Sequence, residues 1–293
     1  MAWQQLKINV KAADAEPVGE LLSELEALAV TFVDAKDTPV YEPKPGEVLL
    51  WPDTQVIGLY EAETDLKDII EQLKHHPIFA NEFHWRLDQL EDRAWEREWM
   101  DTFHPMQFGS RLWICPSWRE APEPDAVNVR LDPGLAFGTG THPTTSLCLK
   151  WLDSQALNDR VMIDFGCGSG ILAVAALKLG ARKVVGIDID PQALLASQQN
   201  ASNNNVEEKL SLFLPEHQPT MQADIVMANI LAAPLKQLNK VITNFCCIGG
   251  TLVMSGILID QVHDVIEHYA ENFDFEPVVS EADWVRLVAR RSS

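Results

Sequence analysis

Positive charge is what this sequence has least of: 23 Lys and Arg stand against 43 Asp and Glu, a formal net charge of -20. A field of that sign repels phosphate backbones, so direct binding of duplex nucleic acid is excluded without a local basic patch, and the chain carries none. Basic partners are favoured instead. Cysteine is scarce as well, with five residues at 115, 148, 167, 246 and 247. The odd count excludes a disulfide framework, no pair has metal-ligand spacing, and a reducing, cytoplasmic setting is expected, with no metal. Long apolar runs are missing. The longest uncharged stretch, Val241 to Ile259, is interrupted by Thr243, Asn244, Gly249, Gly250, Ser255 and Gly256, the pattern of a helix end, a turn and a strand, so no membrane span is expected. MAWQQLKINV at the start lacks the basic and apolar segments of a secretory leader. Repeats and low-complexity tracts are absent.

What is present is enough apolar chain for two domains: 293 residues, 46% hydrophobic. Residues 3 to 10, WQQLKINV, alternate as a strand does, and Val18, Leu21, Leu22, Leu25 and Leu28 recur at helical spacing over 16 to 28. AVTFVD and TQVIGLYEA read as strands, TDLKDIIEQLKHH as a helix capped by Thr64, and NEFHWRLDQLED as a fourth strand. The order β-α-β-β-α-β is that of a ferredoxin-like domain. DRAWEREWMDTFH follows as a charged linker helix, with Trp95 and Trp99 one turn apart packing it onto a neighbour. From 127 onward strands alternate with helices, the mark of a mostly parallel sheet covered on both faces, and the tail FDFEPVVSEADWVRLVARR adds an antiparallel hairpin. The expected organisation is a ferredoxin-like substrate-recognition domain at 1–91, a linker helix and connector at 92–125, and an α/β domain at 126–293.

The chemistry concentrates in two glycine-rich stretches. In VMIDFGCGSGILAVAALKLG, residues 161–180, a strand is expected to end at Asp164, and Gly166, Gly168 and Gly170 follow before a helix. Glycines there allow close backbone approach and leave N–H groups free at the helix start. The spacing G-x-G-x-G differs from the G-x-G-x-x-G of dinucleotide folds, and a carboxylate at Asp164 facing a pocket repels pyrophosphate but suits an ammonium group. The next strand ends at Asp188, placed to accept hydrogen bonds from both hydroxyls of a ribose. Asp190, before Pro191, reads as a cap. A nucleoside with a cationic amino-acid tail satisfies both acids, and S-adenosyl-L-methionine is that ligand. A third strand, ADIVMAN, delivers Asn229 to the same edge, either as an acceptor for a substrate amine or as the cap of a helix at 233–245. NILAAPL lacks the double proline and aromatic that stack a flipped base, which counts against a DNA base as acceptor. The earlier stretch, LDPGLAFGTGTHPTTS at 131–146, supplies a second wall: Phe137 an apolar face, Gly138 and Gly140 close approach, Thr145 a hydroxyl, and Pro143 a helix start. His142 is a base or a residue that bonds its own turn; Cys167 reads as a packing residue. A nicotinamide oxidoreductase, a non-catalytic acidic adaptor and a methyltransferase of another acceptor, nucleic acid or small molecule, are the competing readings.

AFGTGTHPTT at 136–145, DFGCGSGILAVAALKLGA at 164–181 and NILAAPL at 229–235, in this order and behind a ferredoxin-like domain, closely resemble the bacterial PrmA family over essentially the whole chain. The first motif is specific to that family; the glycine loop alone marks class I methyltransferases. The resemblance implies a class I (Rossmann-like) catalytic domain with a mostly parallel seven-stranded sheet. It also implies an S-adenosylmethionine-dependent protein methyltransferase that trimethylates lysine side chains and the N-terminal amine of large-subunit ribosomal protein eleven. Thr145, Gly166, Asp188 and Asn229 are the cofactor-binding positions it implies. Asn229 is expected to be catalytic as well, with Asp164, Gly168, Phe137 and Gly138 completing the cofactor site. A monomer acting on a basic ribosomal protein is expected.

Overall fold

A computed structural model describes residues 3–36, 51–79, 83–90, 103–132 and 140–292. The chain divides into two compact units, Met1–Met100 and Asp101–Ser293. The linker helix expected from residue 92, with Trp95 and Trp99, falls almost wholly outside the described residues, as do Phe137 and Gly138.

In the smaller unit the described elements run β1 (Trp3–Lys11), α1 (Ala12–Glu24), β2 (Ala29–Asp34), β3 (Asp53–Glu61), α2 (Lys67–His75) and β4 (His84–Leu90). They form an antiparallel sheet in the order β2-β3-β1-β4. Alternation in β1 sends Leu6 and Ile8 into a core with Val18, Leu22, Val56, Tyr60 and Leu73. Helix α1 starts four residues before the expected Glu16 and carries Pro17 in its interior, at the cost of one backbone hydrogen bond. It stops at Glu24 because Glu26 turns into the left-handed region at φ 65. Thr64 does not cap α2: Asp65 Oδ1 accepts the Lys67 N–H at 3.1 Å.

The larger unit opens with β5 (Met106–Phe108), β6 (Leu112–Cys115) and β7 (Val127–Arg130), a small three-stranded sheet. Phe108, Leu112, Ile114 and Val129 belong to this unit's main core, so from residue 103 the stretch expected as a connector is built into the larger unit. Then come α3 (Pro143–Ser154), β8 (Val161–Phe165), α4 (Ile171–Lys178), β9 (Lys183–Ile187), α5 (Pro191–Asn203) and β10 (Leu210–Phe213). The remainder is β11 (Ala223–Asn229), α6 (Ala232–Gln237), α7 (Asn239–Phe245), β12 (Cys246–Leu258), α8 (Val262–Tyr269), β13 (Phe273–Phe275), β14 (Val279–Glu281) and β15 (Trp284–Arg291). The sheet has eight strands among the described residues rather than the expected seven, in the order β10-β9-β8-β11-β12-β15, because two short strands, β13 and β14, both pair along the outer edge of β15. From β10 to β12 every pair is parallel, and β15 returns antiparallel.

Parallel strands buried on both faces need apolar side chains on both. Met162, Met227 and Val253 enter one core, with Cys148, Leu149 and the apolar helix α4; Ile163, Val226 and Leu252 enter the other, with Ile242 and Val265. All carboxyl ends of the parallel strands therefore meet at one edge, where open α/β sheets bind ligands. No helix among the described residues is long and apolar enough to cross a membrane.

Candidate functional site

Strand β8 ends at Phe165 and the chain enters three glycines with positive φ, 77° at Gly166, 54° at Gly168 and 75° at Gly170. Two of them leave no room for a side chain. A Cβ on Gly166 falls 2.3 Å from Ile230 Cγ2, and one on Gly170 falls 2.7 Å from Ser197 Oγ. The loop is held from outside: Ser197 Oγ donates to the Gly168 carbonyl at 2.8 Å, and Asn200 Nδ2 donates to the Ser169 carbonyl at 2.8 Å. Gly168 N–H in turn donates to Asp188 Oδ2 at 2.8 Å, while Asp188 Oδ1 accepts the Asp190 N–H at 3.0 Å. The loop thus fixes the carboxylate just past the end of β9. Asp190 caps α5 through the Gln192 N–H, as its place before proline implies.

Asn229 closes β11. Its Nδ2 donates to Thr145 Oγ1 at 3.4 Å, which leaves the amide oxygen as its acceptor. It caps no helix: α6 begins at Ala232 with Leu231 before it and no side-chain cap, which removes that reading. Thr145 is 1% exposed, so its hydroxyl acts by holding Asn229 rather than by lining a cavity. His142 precedes Pro143 at the start of α3, and its Nδ1 accepts the Thr144 N–H at 3.3 Å beside Thr144 Oγ1 at 2.8 Å. Nδ1 is engaged in its own turn, so the ring caps α3, and burial pulls its pKa below the usual histidine value. The ring packs against Trp284, with ring centroids 5.0 Å apart at 68°.

These elements enclose one cavity of about 660 Å³. Asp188, Asn229, Gly166 and Gly168 line it, with apolar walls from Phe165, Ile187, Ile189, Pro215, Leu231 and Trp284. Asp164 does not line it. Standing on the α4 side of β8, it is fully buried, its Oδ2 accepting the Ala173 N–H at 3.0 Å and its Oδ1 meeting no donor among the described residues. Burial pushes its carboxyl up to about 7, with Asp188 adding to the shift against the Ala173 bond. The expectation that Asp164 presents its charge to a ligand is corrected accordingly: its place at the loop entrance did not tell that α4 covers it. Ile189, Pro215, Gly256 and Trp284 were not anticipated. Ile189 carried a signal, an isoleucine between two strand-end aspartates, and it is 83% exposed. Gly256 carried a weaker one: at φ 81 it lets β12 pass Ile230, whose carbonyl oxygen lies 2.3 Å from where a Cβ would stand.

A glycine cradle, a carboxylate past the neighbouring strand and an amide acceptor at the next strand end make a site that takes a nucleoside-bearing ligand and presents an acceptor group beside it. Residues 2–292 match the family described as Ribosomal protein L11 methyltransferase (PrmA). A ribosomal protein L11 methyltransferase of Pseudoalteromonas atlantica is 60% identical over 99% of this chain and 100% of its own length. Its counterpart in Escherichia coli is 57% identical over 100% of both. Among solved structures, a ribosomal protein L11 methylase of Lactobacillus delbrueckii subsp. bulgaricus is 30% identical and superposes with a TM-score of 0.58, over 65% of this chain and 100% of that one. The chain belongs to the ribosomal protein L11 methyltransferase (PrmA) family.

Proposed function

We propose that this chain transfers methyl groups from S-adenosylmethionine to amines of ribosomal protein L11, trimethylating lysine side chains and the N-terminal amine. The larger unit is a class I, Rossmann-like methyltransferase domain. The smaller, with the β-α-β-β-α-β order of a ferredoxin-like fold, recognises the substrate, and the enzyme works as a cytoplasmic monomer. One observation carries the reading: in a chain that matches the family from residue 2 to 292, Asp188 and Asn229 line one cavity across the glycine cradle of 166–170.

The residues present fit the cofactor. Two cradle positions are closed to any Cβ, a strand-end carboxylate is in place for ribose hydroxyls, and Ile187, Ile189 and Pro215 offer apolar surface to a base. S-adenosylmethionine supplies an activated methyl group on a sulfonium, so the protein's task is alignment and a neutral acceptor. A lysine held at pH 7 against its ordinary pKa is neutral at a cost of roughly 4 to 5 kcal/mol. An apolar cavity lowers that cost by disfavouring the charged form. Asn229 Oδ1 then accepts an N–H of the neutral amine and turns its lone pair; Thr145 holds the amide in place. Water takes the proton before docking, so His142 need not act as a base.

The division of labour is testable. Asn229→Ala lowers kcat at least tenfold while cofactor affinity changes little, and Asp188→Ala lowers cofactor affinity at least tenfold with the smaller effect on kcat, magnitudes of about one lost charge-assisted or orienting hydrogen bond. Calorimetry with the cofactor and single-turnover methylation separate the two. Equal losses of both in each variant contradict the assignment.

A further inference from the structure

Trimethylation sets a problem that a hydrogen-bonding residue cannot solve alone. A neutral lysine amine has two N–H groups, the monomethyl amine has one, and the dimethyl amine has none. Asn229 Oδ1 can therefore orient the first two acceptors and has nothing to hold in the third. At every step the nitrogen lone pair forms the new N–C bond as the S–C bond breaks and its electron pair passes to sulfur. After the first two transfers a proton leaves to water; after the third the nitrogen is a quaternary cation with no proton to lose. The last step needs a surface that grips methyl groups and tolerates a positive charge.

The structure places such a surface two strands from Asn229. Asn229 pairs with Ser255 across β11 and β12, and Ser255 Oγ donates to the carbonyl of Val285 at 2.9 Å, which pins the start of β15. Trp284, the residue before, is only 9% exposed and lines the same cavity as Asn229. The His142 ring packs against the indole with ring centroids 5.0 Å apart at 68°, so the indole's orientation is set by a residue that is itself fixed at the cap of α3. Phe165, also on the cavity wall, is committed to the core through Phe245, at 6.2 Å between ring centroids. An indole is the aromatic that holds alkylammonium groups best, through its face and without any N–H on the ligand.

We propose that Trp284 positions the methylated acceptor amine and its cationic product, and so determines how many methyl groups each amine receives. This rests on the reading of the chain as a trimethylating enzyme. Asn229 governs the early transfers and Trp284 the last.

The test is a mass-resolved time course on ribosomal protein L11 with the full-length wild type, Trp284→Leu and Trp284→Phe. In Trp284→Leu the third-transfer rate divided by the first falls at least about tenfold and dimethyl amines accumulate. In Trp284→Phe, which keeps an aromatic face, the ratio stays within about threefold of wild type. A ratio unchanged in Trp284→Leu, with all three steps falling together or none, overturns the proposal. A second measurement needs no variant: wild type with S-adenosylhomocysteine binds a trimethyllysine peptide at least about fivefold more tightly than the peptide carrying the neutral all-carbon isostere. Equal affinities overturn it too. Failure of the wild type to methylate the protein at all refutes the underlying reading instead, and the two failures are thus distinct.

Discussion

Asp164 shows how far a single residue's chemistry depends on what covers it. The same carboxylate would be a ligand group at the cavity wall, but under α4 it is a buried acid with its pKa raised to about 7, chiefly by loss of water. The sign of the consequence follows from linkage. Between about pH 4, where an aspartate of the unfolded chain ionises, and about pH 7, the native state holds a proton that the unfolded state has lost. Its contribution to stability is thus greatest at the acidic end and falls as pH rises through that window. Asn at this position does not titrate. The melting temperature of wild type minus that of Asp164→Asn therefore decreases from pH 4 to pH 7, and a difference that stays constant across the window contradicts the assignment. Asp188 was legible from the sequence because a strand-end acid after a glycine loop has few other uses. Trp284 was not, because 55 positions separate it from Asn229 and only the order β11-β12-β15 brings them to one cavity.

Among the elements, the small sheet β5-β6-β7 is the least expected and rests on one side chain from α3. Asp153, 5% exposed, accepts the Ser110 N–H at 2.6 Å, the Ser110 hydroxyl at 3.2 Å and the Arg111 N–H at 3.1 Å. Gly109, at φ 78, is the turn residue that allows the approach, since a Cβ there would stand 2.2 Å from Asp153 Oδ2. Removing the carboxylate leaves these donors without an acceptor, and Asp153→Ala should cost about 2 to 3 kcal/mol in urea unfolding of the larger unit. A loss below about 0.5 kcal/mol, the range of an ordinary surface change, contradicts the role. The sequence concealed this sheet because WICPSWREAPEPDA, with three prolines, has the composition of a connector. By contrast the alternating strands and helices from β8 to α8 were legible, since a parallel sheet buried on both faces leaves near-continuous apolar strands between helices. Helix ends were less so: the stretch from Glu16 and the cap at Thr64 each suggested a start that backbone geometry set elsewhere.

At the scale of the molecule, charge is the dominant feature. Residues 1 to 100 hold 21 acidic and 9 basic residues, a net of -12 within the total of -20. The proposed role of the smaller unit is to draw a basic ribosomal protein by this field, which weakens as salt shortens the screening length. Raising ionic strength from about 0.05 to 0.5 M should therefore increase KM for ribosomal protein L11 severalfold and leave cofactor affinity nearly unchanged. A KM insensitive to salt argues against electrostatic recruitment. The central claim, that the cavity at the sheet edge methylates amines of that protein, has a direct test. The full-length chain is incubated with isotope-labelled S-adenosylmethionine and a complete set of bacterial ribosomal proteins, and the intact masses are followed. Ribosomal protein L11 should gain label in steps of one methyl group, up to three on each modified lysine and on the N-terminal amine, and Asn229→Ala should suppress it. Label on another protein or on RNA, or none on any species, would contradict that claim.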